Sequence, residues 1–409
     1  MSETGMRNGR AWIILAISTA AQSASSVIIA SGAFLIPALN DPNGGYQLTL
    51  AAAGTVAAMT TAGLMLTLVL WGLLVDRAGE RVTLMIGLSA GAAAMSAPLL
   101  HQVVRGEGIE ASGPVALAGI LLAGGMAAGS ANAASGRLVI GWFPVHRRGT
   151  AMGIRQMAQP LGVATAAVSI PTVAALHGVA VALAIPALLS LLAAAATALW
   201  VTDPQRPSRT SPNFSELRKH PYARHTGLLR IHASAVLLVI PQFTIWSFAL
   251  VWLMTEREWS AFTAGLLVGA IQLAGAGGRV AAGAWSDRIG SRTTPIRIIA
   301  VTAAVTMGAL AFTDLRGMSI AIVLLVAAGV ITVADNGVAF TAAAEIAGPF
   351  WGGRVLSIHN TAQNAVAAAV PPAFGATITA VGFPATFALA AVFALLAAPV
   401  VPSAIGART

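Results

Sequence analysis

The chain contains no cysteine and little charge. Without cysteine there are no disulfides, no thiolate metal sites and no redox-active dithiols. The seven histidines are scattered, with no H-E-x-x-H or comparable ligand spacing, so no metal centre is expected. No nucleophile–base pair stands out either, and neither an enzyme nor a cofactor is expected. Asp, Glu, Lys and Arg make up only 9% of the 409 residues, whereas a soluble domain carries about 25%. That is too little charge to clothe a water-facing surface. The chain is instead 57% hydrophobic, in repeated runs longer than the roughly 18 residues that mark a transmembrane helix. No ten-residue segments alternate with period two, which argues against a transmembrane barrel. The polar start, MSETGMRNGR, leads into an apolar run about twice the length of a signal-peptide core, so this run reads as a retained first span.

Breaks in the hydropathy give twelve spans, at 11–39, 48–75, 82–104, 114–142, 150–175, 179–201, 229–254, 260–285, 294–313, 318–346, 354–380 and 382–402. Seventeen of the 23 basic residues lie at the termini or in the loops on one side, among them Arg7, Arg10, Arg147, Arg148, Arg206, Arg209, Arg218, Lys219, Arg224, Arg354 and Arg408. The opposite loops hold Arg105, Arg257 and Arg316 beside six acids. The excess of Arg and Lys on one side places both termini in the cytoplasm. The net charge of +9 is then a topology signal facing anionic lipid, not a nucleic-acid footprint. Thr202–Leu228 is polar and rich in Pro, Ser and Arg. The expected organisation is an N-terminal six-helix bundle (1–201), a cytoplasmic linker (202–228) and a C-terminal six-helix bundle (229–409).

The halves repeat each other. Gly72, Asp76, Arg77, Gly79 and Arg81, between spans 2 and 3, recur as Gly283, Asp287, Arg288, Gly290 and Arg292, between spans 8 and 9, at one offset of 211 residues. At an offset of 204, Arg155-Gln156-Met-Ala-Gln159 lies over His359-Asn360-Thr-Ala-Gln363, and the same register sets Asn132 against Asn336. Both matches join features on one side of the membrane, six spans apart, so the repeats are parallel. With the motif G-x-x-x-D-R-x-G-x-R present twice, the sequence resembles the major facilitator superfamily of transporters. That resemblance implies an all-α polytopic fold of twelve transmembrane helices in two pseudo-symmetric bundles, with spans 1, 4, 7 and 10 lining a central cleft. It also implies a gating role for the motif, the first Asp meeting the start of span 11 near Arg354. Phe143-Pro144, Gly153-Ile154-Arg155-Gln156, Gly278-Arg279 and Ala344–Trp351 look like bacterial members grouped with carriers of small organic and inorganic anions, monocarboxylates included. The acidic, Trp-rich first-span motif of animal monocarboxylate carriers is missing, as are the Gly- and Asn-rich motifs of nitrate porters.

Arg155, Arg279, Asp335 and His359 lie well inside spans. A charge at a helix centre costs about 2.5–3.5 kcal/mol on insertion scales, so each must face a cavity or a partner. Arg279 offers a planar fork suited to a carboxylate; it could equally be tied to Asp335 or to backbone carbonyls. Arg155, with Gln159 one turn on, and its repeat partner His359, with Gln363, would cradle one anion from two sides; alternatively Arg155 caps the cytoplasmic gate by pairing with Glu345 or a backbone end, and His359 is neutral and donates to a carbonyl. Asp335 is either a proton-coupling carboxylate or one half of a charge pair with Arg279. Gln22 of span 1 and Gln242 of span 7 are the best mid-depth polar pair, either touching substrate or bonding between helices. Asn132 and Asn336 complete the expected substrate-binding set. The expected function is secondary active transport of a small organic anion by a monomer in the cytoplasmic membrane, proton-coupled or by exchange. The alternative is an exporter of lipophilic or cationic drugs.

Overall fold

Each apolar run closes its own backbone hydrogen bonds, as it must where no water can serve the amides. The computed structural model is accordingly helical, with no strand among the described residues. The structure describes residues 3–41, 46–206, 220–223, 226–259 and 261–403. Most of the linker, 207–219 with Arg209, Arg218 and Lys219, and 224–225 with Arg224, lies outside the described residues, as do Arg408 and the side chain of Arg7.

In chain order the helices are α1 (Glu3–Asn40), α2 (Leu50–Ala78), α3 (Glu80–Arg105), α4 (Gly113–Trp142), α5 (Val145–Gln156), α6 (Ala158–Trp200), α7 (Gly227–Thr255), α8 (Ala261–Ile289), α9 (Thr293–Leu315), α10 (Ile320–Ile331), α11 (Asp335–Ala347) and α12 (Gly352–Val400). Among the described residues, ten stretches are long and apolar enough to cross a membrane. Two of them, Val145–Trp200 and Gly352–Val400, hold two spans each, because the backbone leaves helical geometry at Gly178 (φ +85°) and Gly382 (φ +84°). Glycine adopts that conformation with no Cβ penalty. The two glycines lie 204 residues apart, the offset already found in the repeat. The twelve spans read from hydropathy are all accounted for.

Two spans are less regular than their hydropathy suggests. The fifth is interrupted at Met157, between α5 and α6. Pro160 explains this: it has no N–H to give the Gln156 carbonyl, and its ring crowds that carbonyl. The tenth, read from sequence as one run, breaks between α10 and α11. There Thr332 turns its hydroxyl back on the carbonyl of Ala328, and Ala334 and Asn336 bond three residues back, to Ile331 and Val333. Asp335 opens α11, so it lies at the positive end of the helix dipole.

The chain forms two compact units. One comprises Met1–Trp142, Ala158–Arg206 and Gly352–Ile358; the other Phe143–Met157, Pro207–Trp351 and His359–Thr409. The first turns of spans 5 and 11 therefore each belong to a different unit from the remainder of their span. In the first unit the core is built on Val27, Leu35, Met95, Leu117, Leu121, Ile170 and Leu183, with a second cluster around Ile14, Val75, Leu84 and Leu138. In the second it is built on Trp252, Met307, Leu310, Phe374 and Phe387.

Apolar burial drives helix association weakly in lipid, so close backbone approach does much of the work. α8 and α5 meet at Gly283 and Gly149, where a Cβ on Gly283 would strike the Gly149 carbonyl. Further along, a Cβ on Gly153 would lie 2.6 Å from the Arg279 carbonyl, and one on Gly337 of α11 would lie 3.1 Å from the Gly153 Cα. These glycines bring α5, α8 and α11 together at the depth of the buried charges. Gly283→Ala should therefore cost about 1–3 kcal/mol through overpacking and lower the melting temperature. Gly119→Ala, whose Cβ would meet nothing within 4 Å, should leave it unchanged or slightly raised.

Candidate functional site

Both repeat motifs place a carboxylate against the backbone of a neighbouring helix. Asp76, at the end of α2, accepts from the amides of Gly353 (2.9 Å) and Arg354 (3.1 Å) and from Nε of Arg354 (2.7 Å). Those amides lie in the first turn of α12, where no helical carbonyl precedes them. Asp287, at the end of α8, accepts from the amides of Gly149 (2.9 Å) and Thr150 (2.7 Å) in α5 and from the Thr150 hydroxyl (2.8 Å). Gly72 makes the first approach possible, since a Cβ there would lie 2.6 Å from the Gly353 carbonyl. Gly79 (φ +95°) and Gly290 (φ +63°) form the turns that follow. Arg77 and Arg288 are exposed.

The last arginine of each motif differs between the halves. Arg292 bonds Asp287 (2.7 Å), both oxygens of Glu345 (3.1 and 3.2 Å) and the Val145 carbonyl (2.7 Å). Burial works against its charge, but the hydrogen bonds and charges of Glu345 and Asp287 outweigh it and hold its pKa above the ordinary arginine value. Arg81 instead donates its backbone N–H to Asp203 (2.7 Å) and its guanidinium to the Ala198 carbonyl. The first unit has a separate buried charge centre, which the sequence reading did not find. There Glu80 pairs with Arg137 (3.2 Å) and Arg206 (3.1 Å), and Arg206 also caps the carbonyls of Val75 and Asp76. The only sequence signal for it was Arg137 lying in span 4, and its partners come from elsewhere in the chain.

Four of the polar residues expected at mid-depth pair within their own halves. Gln22 donates to Asn132 (2.9 Å) and accepts from Ser135 (3.2 Å). Asn336 donates to Gln242 (3.1 Å). Each unit thus has one Gln–Asn bond between its first and fourth spans. Gln363 is buried with an unpartnered Nε2. Gln159 is exposed while Arg155 is buried; the helix break at Met157 disturbs the one-turn relation that would have set them side by side.

The second unit gathers Arg155, Arg279, Asp335 and His359, each no more than 2% exposed. Arg279 of α8 donates to the Gln156 carbonyl (2.7 Å), the acceptor that Pro160 leaves without a helical donor. Its guanidinium carbon lies 5.8 Å from the Trp246 ring centroid, and its Nε is buried without a hydrogen-bond partner. Arg155, in the last turn of α5, bonds the Met152 sulfur (3.0 Å) and the Gln156 side chain (3.2 Å) and lies 5.4 Å over the Phe340 ring. Both Asp335 oxygens are buried without a hydrogen-bond partner, and Asp335 and Arg279 form no ion pair among the described residues. Of the three readings left open for Arg279, the backbone-carbonyl contact is present and the Asp335 contact is not. His359 meets the Phe340 ring edge-on (centroids 4.7 Å) and His232 of α7 nitrogen to nitrogen. Phe340 thus has Arg155 on its face and His359 against it, a role that nothing in its sequence context signals. Among the described residues, no group of three or more His, Asp or Glu could hold a metal ion.

The sequence profile of the Major Facilitator Superfamily matches residues 11–371. An uncharacterized MFS-type transporter of Mycobacterium tuberculosis (strain H37Rv), Rv2994, is 45% identical over 395 residues, which is 96% of this chain and 85% of the relative. Among solved structures, the proton:xylose symporter XylE superposes with a TM-score of 0.74 at 16% identity, covering 97% of both chains. The human organic anion transporter MFSD10 superposes with a TM-score of 0.71 at 14% identity, covering 96% of this chain and 99% of that one. At such identities the structural likeness establishes the fold alone. The paired motifs, the twelve spans, the family match and the mycobacterial relative agree: this chain is a multi-pass membrane transporter and not an enzyme, and it belongs to the Major Facilitator Superfamily.

Proposed function

We propose that this chain is a secondary active transporter that moves a small organic anion across the cytoplasmic membrane by alternating access, with both termini in the cytoplasm. The observation that carries this reading is Arg279. Its guanidinium is buried, touches no carboxylate among the described residues and keeps one N–H without a partner. Among the described residues the cluster holds two guanidinium groups, Arg279 and Arg155, and one carboxylate, Asp335, which forms no ion pair with Arg279. An uncompensated charge in low dielectric is costly, and an incoming carboxylate supplies the missing counter-charge through charge-assisted hydrogen bonds. The fold does not choose the substrate, because a sugar symporter and an organic anion transporter share it.

Asp335 supports a proton-coupled version of the same reading. Gain or loss of a proton on this buried carboxylate would change how far it offsets the charge of a neighbouring guanidinium. The carboxylate–amide clasps at Asp76 and Asp287 are the proposed gate contacts, released and re-formed during the cycle.

Two experiments test this reading. Arg279→Lys keeps the charge but loses the planar fork. It should insert and fold normally, yet take up lactate, pyruvate, succinate or benzoate into proteoliposomes with about ten- to a hundred-fold lower efficiency, the worth of about 1.5–3 kcal/mol for a bond to a charged group. Wild-type uptake by this variant would remove Arg279 from the site. For the gate, Ser357→Cys places a thiol where the buried Ser357 packs on Gly72. Adding Asp76→Asn, which forfeits roughly 0.3–1 kcal/mol of charge–helix attraction or more when shielded, should raise maleimide labelling of that thiol. Unchanged labelling would leave Asp76 a purely structural turn residue.

A further inference from the structure

The second unit carries a chain of hydrogen bonds through two imidazoles. The Tyr222 hydroxyl stands 2.9 Å from Nε2 of His232, and Nδ1 of His232 stands 2.7 Å from Nδ1 of His359. Two ring nitrogens that close must share a proton, one donating and the other accepting. The ends of the chain differ. Tyr222 sits in the short turn Pro221–Ala223, beside the exposed ring of His220 at 5.5 Å between centroids. Nε2 of His359 is buried without a hydrogen-bond partner. A histidine serving only to brace helices would satisfy both nitrogens or leave the spare one in water, since an orphaned buried donor or acceptor costs about 1–3 kcal/mol.

The groups facing the pair are few. From the linker there is Tyr222, with His220 beyond it; from α5 there is Arg155, whose guanidinium lies over the Phe340 ring of α11 that His359 abuts. Arg230, two residues before His232, is turned to the carbonyls of Pro399, Val400 and Val401. No carboxylate bonds either imidazole among the described residues.

We propose that Tyr222, His232 and His359 form a proton relay between the Arg-rich end of the second unit and its buried cationic cluster. The starting tautomer has His359 donating through Nδ1–H and His232 carrying its other proton on Nε2. When water reaches the cluster during the transport cycle, a hydronium gives a proton to Nε2 of His359, leaving water, and His359 passes its Nδ1 proton to Nδ1 of His232. His232 then gives its Nε2 proton to the Tyr222 oxygen as Tyr222 releases its own hydroxyl proton to water. One proton enters, one leaves, both rings end neutral in the opposite tautomer, and passage in the other direction resets them. Burial pushes the Tyr222 pKa up to about 12, so the phenol stays protonated and able to serve as such a link. A proton held on His359 adds positive charge beside Arg155, so proton and anion would bind together. Only this last coupling rests on the anion reading; the relay stands on the ring geometry.

The test is solvent exchange of the shared Nδ1 proton, read by nitrogen-15 NMR of histidine-labelled full-length protein in lipid. Resonances are assigned with His232→Gln and His359→Gln. The wild type should show one coupled Nδ1–H···Nδ1 pair. Tyr222→Phe, which keeps the ring and removes the hydroxyl, should preserve the pair and slow its exchange about a hundred-fold. An uncoupled pair, or unchanged exchange in Tyr222→Phe, overturns the relay. Proton uptake on adding lactate or benzoate, followed with a pH dye, tests the coupling: the wild type should take up protons and His232→Gln should do so far more slowly. Anion binding without proton uptake overturns the coupling. Absence of any anion binding counts against the anion reading, while the exchange rates decide the relay alone.

Discussion

A carboxylate at the end of one helix that accepts backbone amides from another is the interaction on which each unit is organised. Asp76 holds the start of α12, and Asp287 holds α5. A side chain bonded only to another side chain leaves two flexible partners to be ordered. A carboxylate on helix amides orders one, and Asp76, at the first turn of α12, gains the helix dipole as well. The contact requires the backbones nearly to touch, which Gly72 and Gly283 permit. Once Asp287 has fixed α5, the buried site follows, because Arg155 ends α5 and the Gln156 carbonyl next to it receives Arg279.

The two halves share a frame but not a chemistry. The clasps, the Gln–Asn bonds and the glycine breaks recur in both. The buried charges do not. At the repeat offsets, Asp335 corresponds to Ala131, Arg279 to Leu68 and Arg155 to His359. The repeat accounts for the frame, and the departures from it give the second unit buried side chains that the matching positions of the first lack. The two broken spans, at Met157 and at 332–334, both contribute to the second unit. Irregular backbone at membrane depth is tolerated where it is buried in protein or lines a cavity. Here the breaks free one carbonyl for Arg279 and set Asp335 at a helix start.

Much of the frame was legible because it is written in local pattern: apolar runs longer than a bilayer, and a ten-residue motif repeated at one offset. The buried charges could be named as well, since an ionisable residue inside an apolar run stands out. Their partners could not. Arg279 looked equally suited to Asp335 or to a carbonyl, and the choice turned on Pro160 removing a donor from a different helix. The pairing of Glu80 with Arg137 and Arg206 joins three distant stretches. The break before Asp335 has neither proline nor glycine to announce it. Tyr222 sits in a polar linker that reads as a spacer, and Phe340 in a run where an aromatic residue is unremarkable.

The central claim is that the buried guanidinium groups of the second unit select an anion. It is tested most directly by thermal stabilisation of the purified, lipid-embedded protein with matched compounds: small mono- and dicarboxylates, their uncharged amides, inorganic anions, sugars and lipophilic cations. A ligand at about a hundred times its Kd stabilises the folded state by about 2.7 kcal/mol. The account predicts a saturable rise in melting temperature with at least one small carboxylate and none with its amide. Stabilisation by lipophilic cations or neutral sugars, with no carboxylate or inorganic anion effective, would contradict it.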